Sequence, residues 1–182
     1  MLTDPGPDGL ITLARRVPMP PEYQLPAGAS EREIEDFEKR TGLKLPSQLR
    51  TWLKKVNGAM VGPGGIFGAR EATDFLSIEK YLKIFPAWRQ LGWLPIASDG
   101  LGNYWVVVPG PDGSNGWVAF IDVHSDPESI DYYAASTVFR FLGFLLSAEL
   151  GEQGWPRTRQ YVLEHDHGME SVPEPLSPWR HP

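Results

Sequence analysis

The alternation of apolar and polar positions is clearest between Ser30 and Gly58. Ser30 with Glu33 three residues later has capping-box spacing, in which each side chain satisfies a backbone donor at a helix start. Ile34, Phe37 and Thr41 then share one helical face, and Gly42 is a natural left-handed stop. Pro46 can open a second helix, because its missing N–H would be unpaired there anyway. Leu49, Trp52, Leu53 and Val56 follow at i, i+3, i+4 and i+7, and Asn57-Gly58 ends the run. The stretch predicts two short amphipathic helices in tight connection. Each needs cover from elsewhere in the chain.

Past a Gly/Pro-rich turn at 59–68, which leads into a short strand at Ile66-Phe67, residues 75–85 place Ile78, Tyr81, Leu82 and Phe85 on one helical side, and Pro86 closes that helix. The pattern then changes to strands. Trp93–Ala97, Asn103–Val108 and Trp117–Val123 are rich in aromatic and β-branched residues, with turn chemistry at Asp99–Gly102 and Pro109–Gly116. Residues 130–134 offer a further edge. Strands joined by loops this short pair antiparallel, since a parallel pair needs a long crossover. Alternation puts Tyr104 and Trp105 on opposite faces, so one of the two is expected to look outward. Ser136 is placed to cap a helix over Val138–Leu146 that is apolar on nearly every side and therefore belongs in the core. Gly151 stops it, and residues 155–164 predict one more short helix with Pro156 in its first turn.

These elements predict helices on either side of a run of antiparallel strands. The expected organisation is a Pro-rich extension over 1–29, a domain over 30–147, and a C-terminal extension over 148–182. Pro5, Pro7, Pro18, Pro20, Pro21 and Pro26 surround the only apolar run of the first extension, Leu10–Leu13. Proline at that density argues against regular hydrogen-bonded structure beyond an edge strand or a turn of helix. The last extension has a Pro- and Ser-rich end from Met169 that is expected to be poorly ordered.

Composition narrows the function classes. With 41% hydrophobic and 22% charged residues the 182-residue chain can bury a core. Its seven Trp and eight Phe can fill that core, line a binding surface, or both. It has no Cys, hence no disulfide, thiolate nucleophile or Cys-based zinc site. A net charge of −6 opposes general nucleic-acid binding. The first residues lack the basic-then-apolar signal pattern, and the apolar cluster 138–146 is short and interrupted by Arg140, so a cytoplasmic protein without membrane contact is expected.

Catalytic and metal motifs find no support. His165-Asp166-His167 offers two histidines on a polar tail where zinc needs three or four converging ligands, and an exposed segment is the expectation. Asp99-Gly-Leu-Gly-Asn103 resembles a calcium loop only superficially, because the third position is Leu and the bidentate Glu is missing. No Gly-x-Ser-x-Gly elbow or His-Glu-x-x-His is present. The expectation is a non-enzyme without cofactor or metal. What does stand out is charge. From Gln90 to Phe139, 50 residues, there is no Lys or Arg, while Asp99, Asp112, Asp122, Asp126, Glu128 and Asp131 fall inside. The preceding helical pair carries Lys39, Arg40, Lys44, Arg50, Lys54 and Lys55. Such segregation predicts an acidic sheet face that steers a basic partner. The candidate partner-binding residues are Asp99, Asn103, Trp105, Trp117, Asp122, Asp126, Glu128 and Asp131, the two tryptophans serving either as core or as interface anchors.

Three blocks resemble the SUKH superfamily. They are Glu38-x-x-x-Gly42-x-x-Leu45-Pro46 with Leu53 and Asn57-Gly58; Trp93-Leu-Pro-Ile-Ala-Ser-Asp99-Gly100-Leu-Gly102-Asn103; and Gly116-Trp-Val-Ala-Phe-Ile-Asp122-Val-His124 followed by Ser136-x-x-Phe139-x-x-Phe-Leu142. Asn103 stands where the superfamily usually has Asp. The resemblance covers roughly residues 30–147. It implies an α+β fold, a twisted, largely antiparallel sheet packed by N-terminal and C-terminal helices, without catalytic residues and, in bacterial members, an immunity protein that binds a toxin, often a nuclease. Fungal members imply the alternative, a housekeeping scaffold or regulator with a cellular partner. A small-molecule site around Asp99, Asp122 and His124 is a third possibility.

Overall fold

The computed structural model describes residues 5–19, 24–156 and 158–181. Its first element departs from expectation: the proline-dense N-terminus forms a ten-residue helix, α1 (Pro7–Arg16). Pro7 occupies the first helical position, where a missing N–H costs nothing, and the next proline, Pro18, lies beyond the C-cap Val17. The proline-free window between them suffices for a helix with Leu10 and Ala14 fully buried.

The helical pair forms as its pattern predicts. In α2 (Glu31–Thr41) the Ser30 hydroxyl accepts the Glu33 N–H at 3.3 Å, the Ser30 N–H donates to the Glu33 carboxylate at 2.7 Å, and Gly42 takes φ 74°. In α3 (Ser47–Leu53) Pro46 is the N-cap rather than the first helical residue, and Leu49, Trp52 and Leu53 are buried. Helix α4 (Ile78–Ile84) follows and ends just before Pro86, as expected, but Pro86 has a second role. It opens another helix, α5 (Pro86–Leu91).

Four strands make an antiparallel meander in chain order: β1 (Leu94–Ser98), β2 (Tyr104–Pro109), β3 (Asn115–Ile121) and β4 (Tyr132–Ala135). Trp105 lies opposite Phe120 and Val107 opposite Val118. Helix α6 (Val138–Glu149) then packs against β3, β4, α3 and α1. Its cap is Thr137, which accepts the Arg140 N–H; the expected cap, Ser136, is committed elsewhere, donating its N–H and hydroxyl to Asp166 at 2.7 and 2.5 Å. Helix α7 (Arg159–His165) starts three residues beyond Pro156, and three 3-10 turns follow at His167–Ser171, Glu174–Leu176 and Pro178–Arg180. The tail is therefore structured over its described residues: Met169 and Val172 are buried, and all three turns contact β4.

Side chains pack over both faces of the sheet: Trp105 is buried, and Tyr104, on the opposite face and expected with it to leave one ring outward, is half-buried. Tyr104 packs among Phe67, Tyr81, Phe85 and Trp88, and Trp105 on the other face among Phe120, Phe141 and Trp155. The edges are occupied too. The Trp155 indole N–H donates to the Ala134 carbonyl of β4 at 3.2 Å, and the Phe67 N–H donates to the Ile96 carbonyl of β1 at 2.8 Å. Bound edges suppress strand-to-strand association.

Candidate interaction site at one end of the sheet

In an antiparallel meander, alternate connections emerge at the same end. The β1–β2 turn carries Asp99 and Asn103, and the β3–β4 loop carries Asp122, Asp126, Glu128 and Asp131, so the topology collects these residues at one end of the sheet. Asp112 sits in the β2–β3 loop at the opposite end, where its bonds to the hydroxyl and backbone N–H of Ser114 hold its carboxyl below the usual range. Chemistry at the acidic end is mostly turn-forming. Asp99 Oδ1 accepts the N–H of Leu101 and Asn103 at 2.8 and 3.0 Å, and its Oδ2 accepts the Asn103 amide at 2.9 Å. Asp122 Oδ1 accepts from His124 N–H, and Asp131 accepts the Asp122 N–H at 2.6 Å. The exposed Asp126 accepts the Glu128 N–H, which leaves the Glu128 side chain in solvent. His124 Nε2 lies 3.5 Å from the Leu101 carbonyl and joins turn to loop.

Among the described residues, none of these five carboxylates forms a salt bridge. Five of the six basic residues of the helical pair are spent locally: Arg40 on Glu79, Lys44 on Glu38, Arg50 on Glu31 and Glu38, Lys54 on Glu31, and Lys55 on Asp8. The acid is thus gathered and unneutralised, but in the loops at the end of the sheet. The expected acidic sheet face does not exist. The two tryptophans do not join the carboxylates either. Trp105 is 8% exposed and Trp117 only 3%. Trp117 is covered by its own hairpin loop, which passes so close that a Cβ at Gly110 would lie 2.2 Å from the indole. Its N–H is held by the Ser114 hydroxyl at 2.9 Å. Both are core residues. The sequence left both open as core or interface, because what covers them comes from distant helices and loops.

The His165-Asp166-His167 triplet goes three ways. His165 bonds the Tyr161 carbonyl, His167 meets Glu170, and Asp166, expected in an exposed segment, is buried on Ser136 as the tie between tail and sheet. Among the described residues no group of three or more His, Asp or Glu is placed to hold a metal, and no helix is long and apolar enough to cross a membrane.

Glu38 shows what the first block of the sequence does. Its carboxylate, 7% exposed, accepts the Lys44 ammonium at 2.7 Å, the Leu45 N–H at 3.0 Å and Arg50 at 3.0 Å. Burial works to raise its pKa, but those bonds and the two cations prevail and hold it below the ordinary Glu value. The spacing Glu38–Gly42–Leu45-Pro46 is therefore a staple that sets α3 against α2.

A meander sealed between helices, with its loops free at one end and its signature residues spent on turns, defines a compact α+β module whose accessible chemistry lies in those loops. The sequence model of the SMI1 / KNR4 family (SUKH-1) matches residues 28–139, more than half of the chain, and the chain belongs to that family. The match contains the whole acidic end, while α1, α7 and the three closing turns lie outside it. No curated protein matches the chain.

Proposed function

We propose that this chain is a non-catalytic binding domain that neutralises a cognate bacterial toxin, a nuclease domain being the best fit. The observation that carries the reading is the collection of Asp99, Asp122, Asp126, Glu128 and Asp131 at one end of the sheet, with no salt bridge to any of them among the described residues. Domains that act on nucleic acid are basic because their substrate is a polyanion. An uncompensated acidic end attracts such a domain, orients it, and competes with its substrate. Family membership supports the reading.

Co-expression tests it. The product of the adjacent gene should be toxic alone and harmless together with this chain. The purified pair should associate at least about tenfold more slowly as salt is raised. A non-toxic neighbour that forms no complex overturns the toxin role; a complex indifferent to salt overturns the electrostatic one.

A further inference from the structure

Beside the acidic end lies an aromatic surface that none of the turn chemistry uses. Phe67 and Trp88 are fully buried and form its floor. Over them Tyr81 stacks on Phe67 at 4.4 Å between centroids, Phe85 stacks on Trp88 at 4.3 Å, and Tyr104 bridges the two pairs at 5.0 Å from Tyr81 and 5.4 Å from Phe85. Tyr81, Phe85 and Tyr104 are only half-buried, so three ring systems share one accessible surface. Two hydrogen bonds fix it in place. The Tyr81 hydroxyl donates to the Phe75 carbonyl at 3.0 Å, and the Trp88 indole N–H donates to the Pro127 carbonyl at 2.5 Å. The second bond ties the floor of this surface to the loop bearing Asp126 and Glu128. Tyr104 directly follows Asn103, which is bonded to Asp99. The rings are thus tied to the turn of Asp99 and to the loop of Asp126 and Glu128, while the cations on their own helices include Lys83, paired with Glu79, and Arg89, bonded to the Arg40 carbonyl.

We infer that Tyr81, Phe85 and Tyr104 form a seat for an arginine side chain of the basic partner. The inference rests on the proposed function for the nature of that partner and adds what the partner must present. Negative ring faces attract a cation, and neighbouring carboxylates raise its local concentration. Lys80, the chain neighbour of Tyr81, has its Nζ 5.9 Å from the centre of that ring. Arginine is preferred over lysine because its planar, weakly hydrated guanidinium stacks on rings while its N–H groups bond carboxylates at the edge. The rings are pre-packed, so seating the guanidinium freezes little that was mobile.

The test titrates hexa-arginine and hexa-lysine peptides into the full chain, read by NMR. Expected are upfield ring-current shifts of the arginine δ-methylene protons, intermolecular contacts to the Tyr81, Phe85 and Tyr104 ring protons, and weaker binding of hexa-lysine. Phe85→Leu and Tyr81→Leu should each weaken hexa-arginine by about fivefold and hexa-lysine less. A double Asp126→Asn, Glu128→Gln variant should weaken both peptides alike. If both peptides bind equally, depend on Asp126 and Glu128, and show no shift or contact at the rings of the wild-type chain, the aromatic seat is overturned while the acidic end stands. If neither peptide binds, the acidic-end reading falls with it. The wild-type shifts and contacts decide the matter even if a leucine variant folds poorly.

Discussion

Glu38 illustrates how much one side chain decides. A buried carboxylate is stable only when its lone pairs are filled, and here a backbone N–H and two cations fill them. Glu38→Gln keeps the shape but removes the charge, leaving Arg50 half-paired. Urea unfolding should show a loss of about 2 kcal/mol at neutral pH. The sign of the pH dependence follows from the lowered pKa. A carboxyl held below its ordinary value of 4.5 contributes fully above that value and loses its contribution as pH falls through the folded value. The gap between wild type and Glu38→Gln should therefore close as the solution is acidified below 4.5. Asn103 makes the complementary point. Its amide donates to Asp99, which an ionised Asp at that position could not do. The turn needs no charge there, and the departure from the usual residue costs the geometry nothing.

At the scale of elements, the helical pair and the strands were legible because they are local events. Capping box, apolar spacing and glycine stop lie within a few residues of each other, and hydrogen bonds of short range realise them. Proline was harder to interpret. Pro7 and Pro86 each open a helix, although dense proline or a terminal one suggests an end, because the first turn tolerates a missing N–H. Whether such a helix persists depends on what it packs against. Helix α1 survives because Leu10 and Ala14 close over α6, where Gly143 leaves room: a Cβ there would stand 3.1 Å from Pro5 and 3.9 Å from Leu10. Leu10→Ala should cost about 3 kcal/mol in equilibrium unfolding. A loss below about 1 kcal/mol would mean that α1 is a loose appendage and no part of the core. The same logic explains the ordered tail. Its residues have no strong periodicity, but Asp166 and Trp155 satisfy backbone groups beside and within β4 that would otherwise stay open.

For the whole molecule, charge matters more than any single contact. Five carboxylates held by turns into one end of the sheet act as a field, and a field is tested by reversing it. Asp126→Lys with Glu128→Lys changes two exposed groups. Stopped-flow association with the cognate partner should slow by at least about tenfold at low salt, with dissociation much less affected. Equal slowing by the same reversal at Asp112, on the opposite end, would show net charge rather than location to be at work.

The chain by itself determined its helices and strands, the antiparallel pairing of neighbouring strands, the capping box of α2 and the gathering of acid into one stretch, since each is written in neighbouring residues. Only the tertiary structure decided which side chains reach solvent. Alternation along a strand separates Tyr104 from Trp105 but says nothing of what lies over each, because the covering groups come from residues tens of positions away. Trp105 and Trp117 went to the core for that reason, the acid went to the end of the sheet, and the accessible aromatic surface was built by helices that a linear pattern does not bring together.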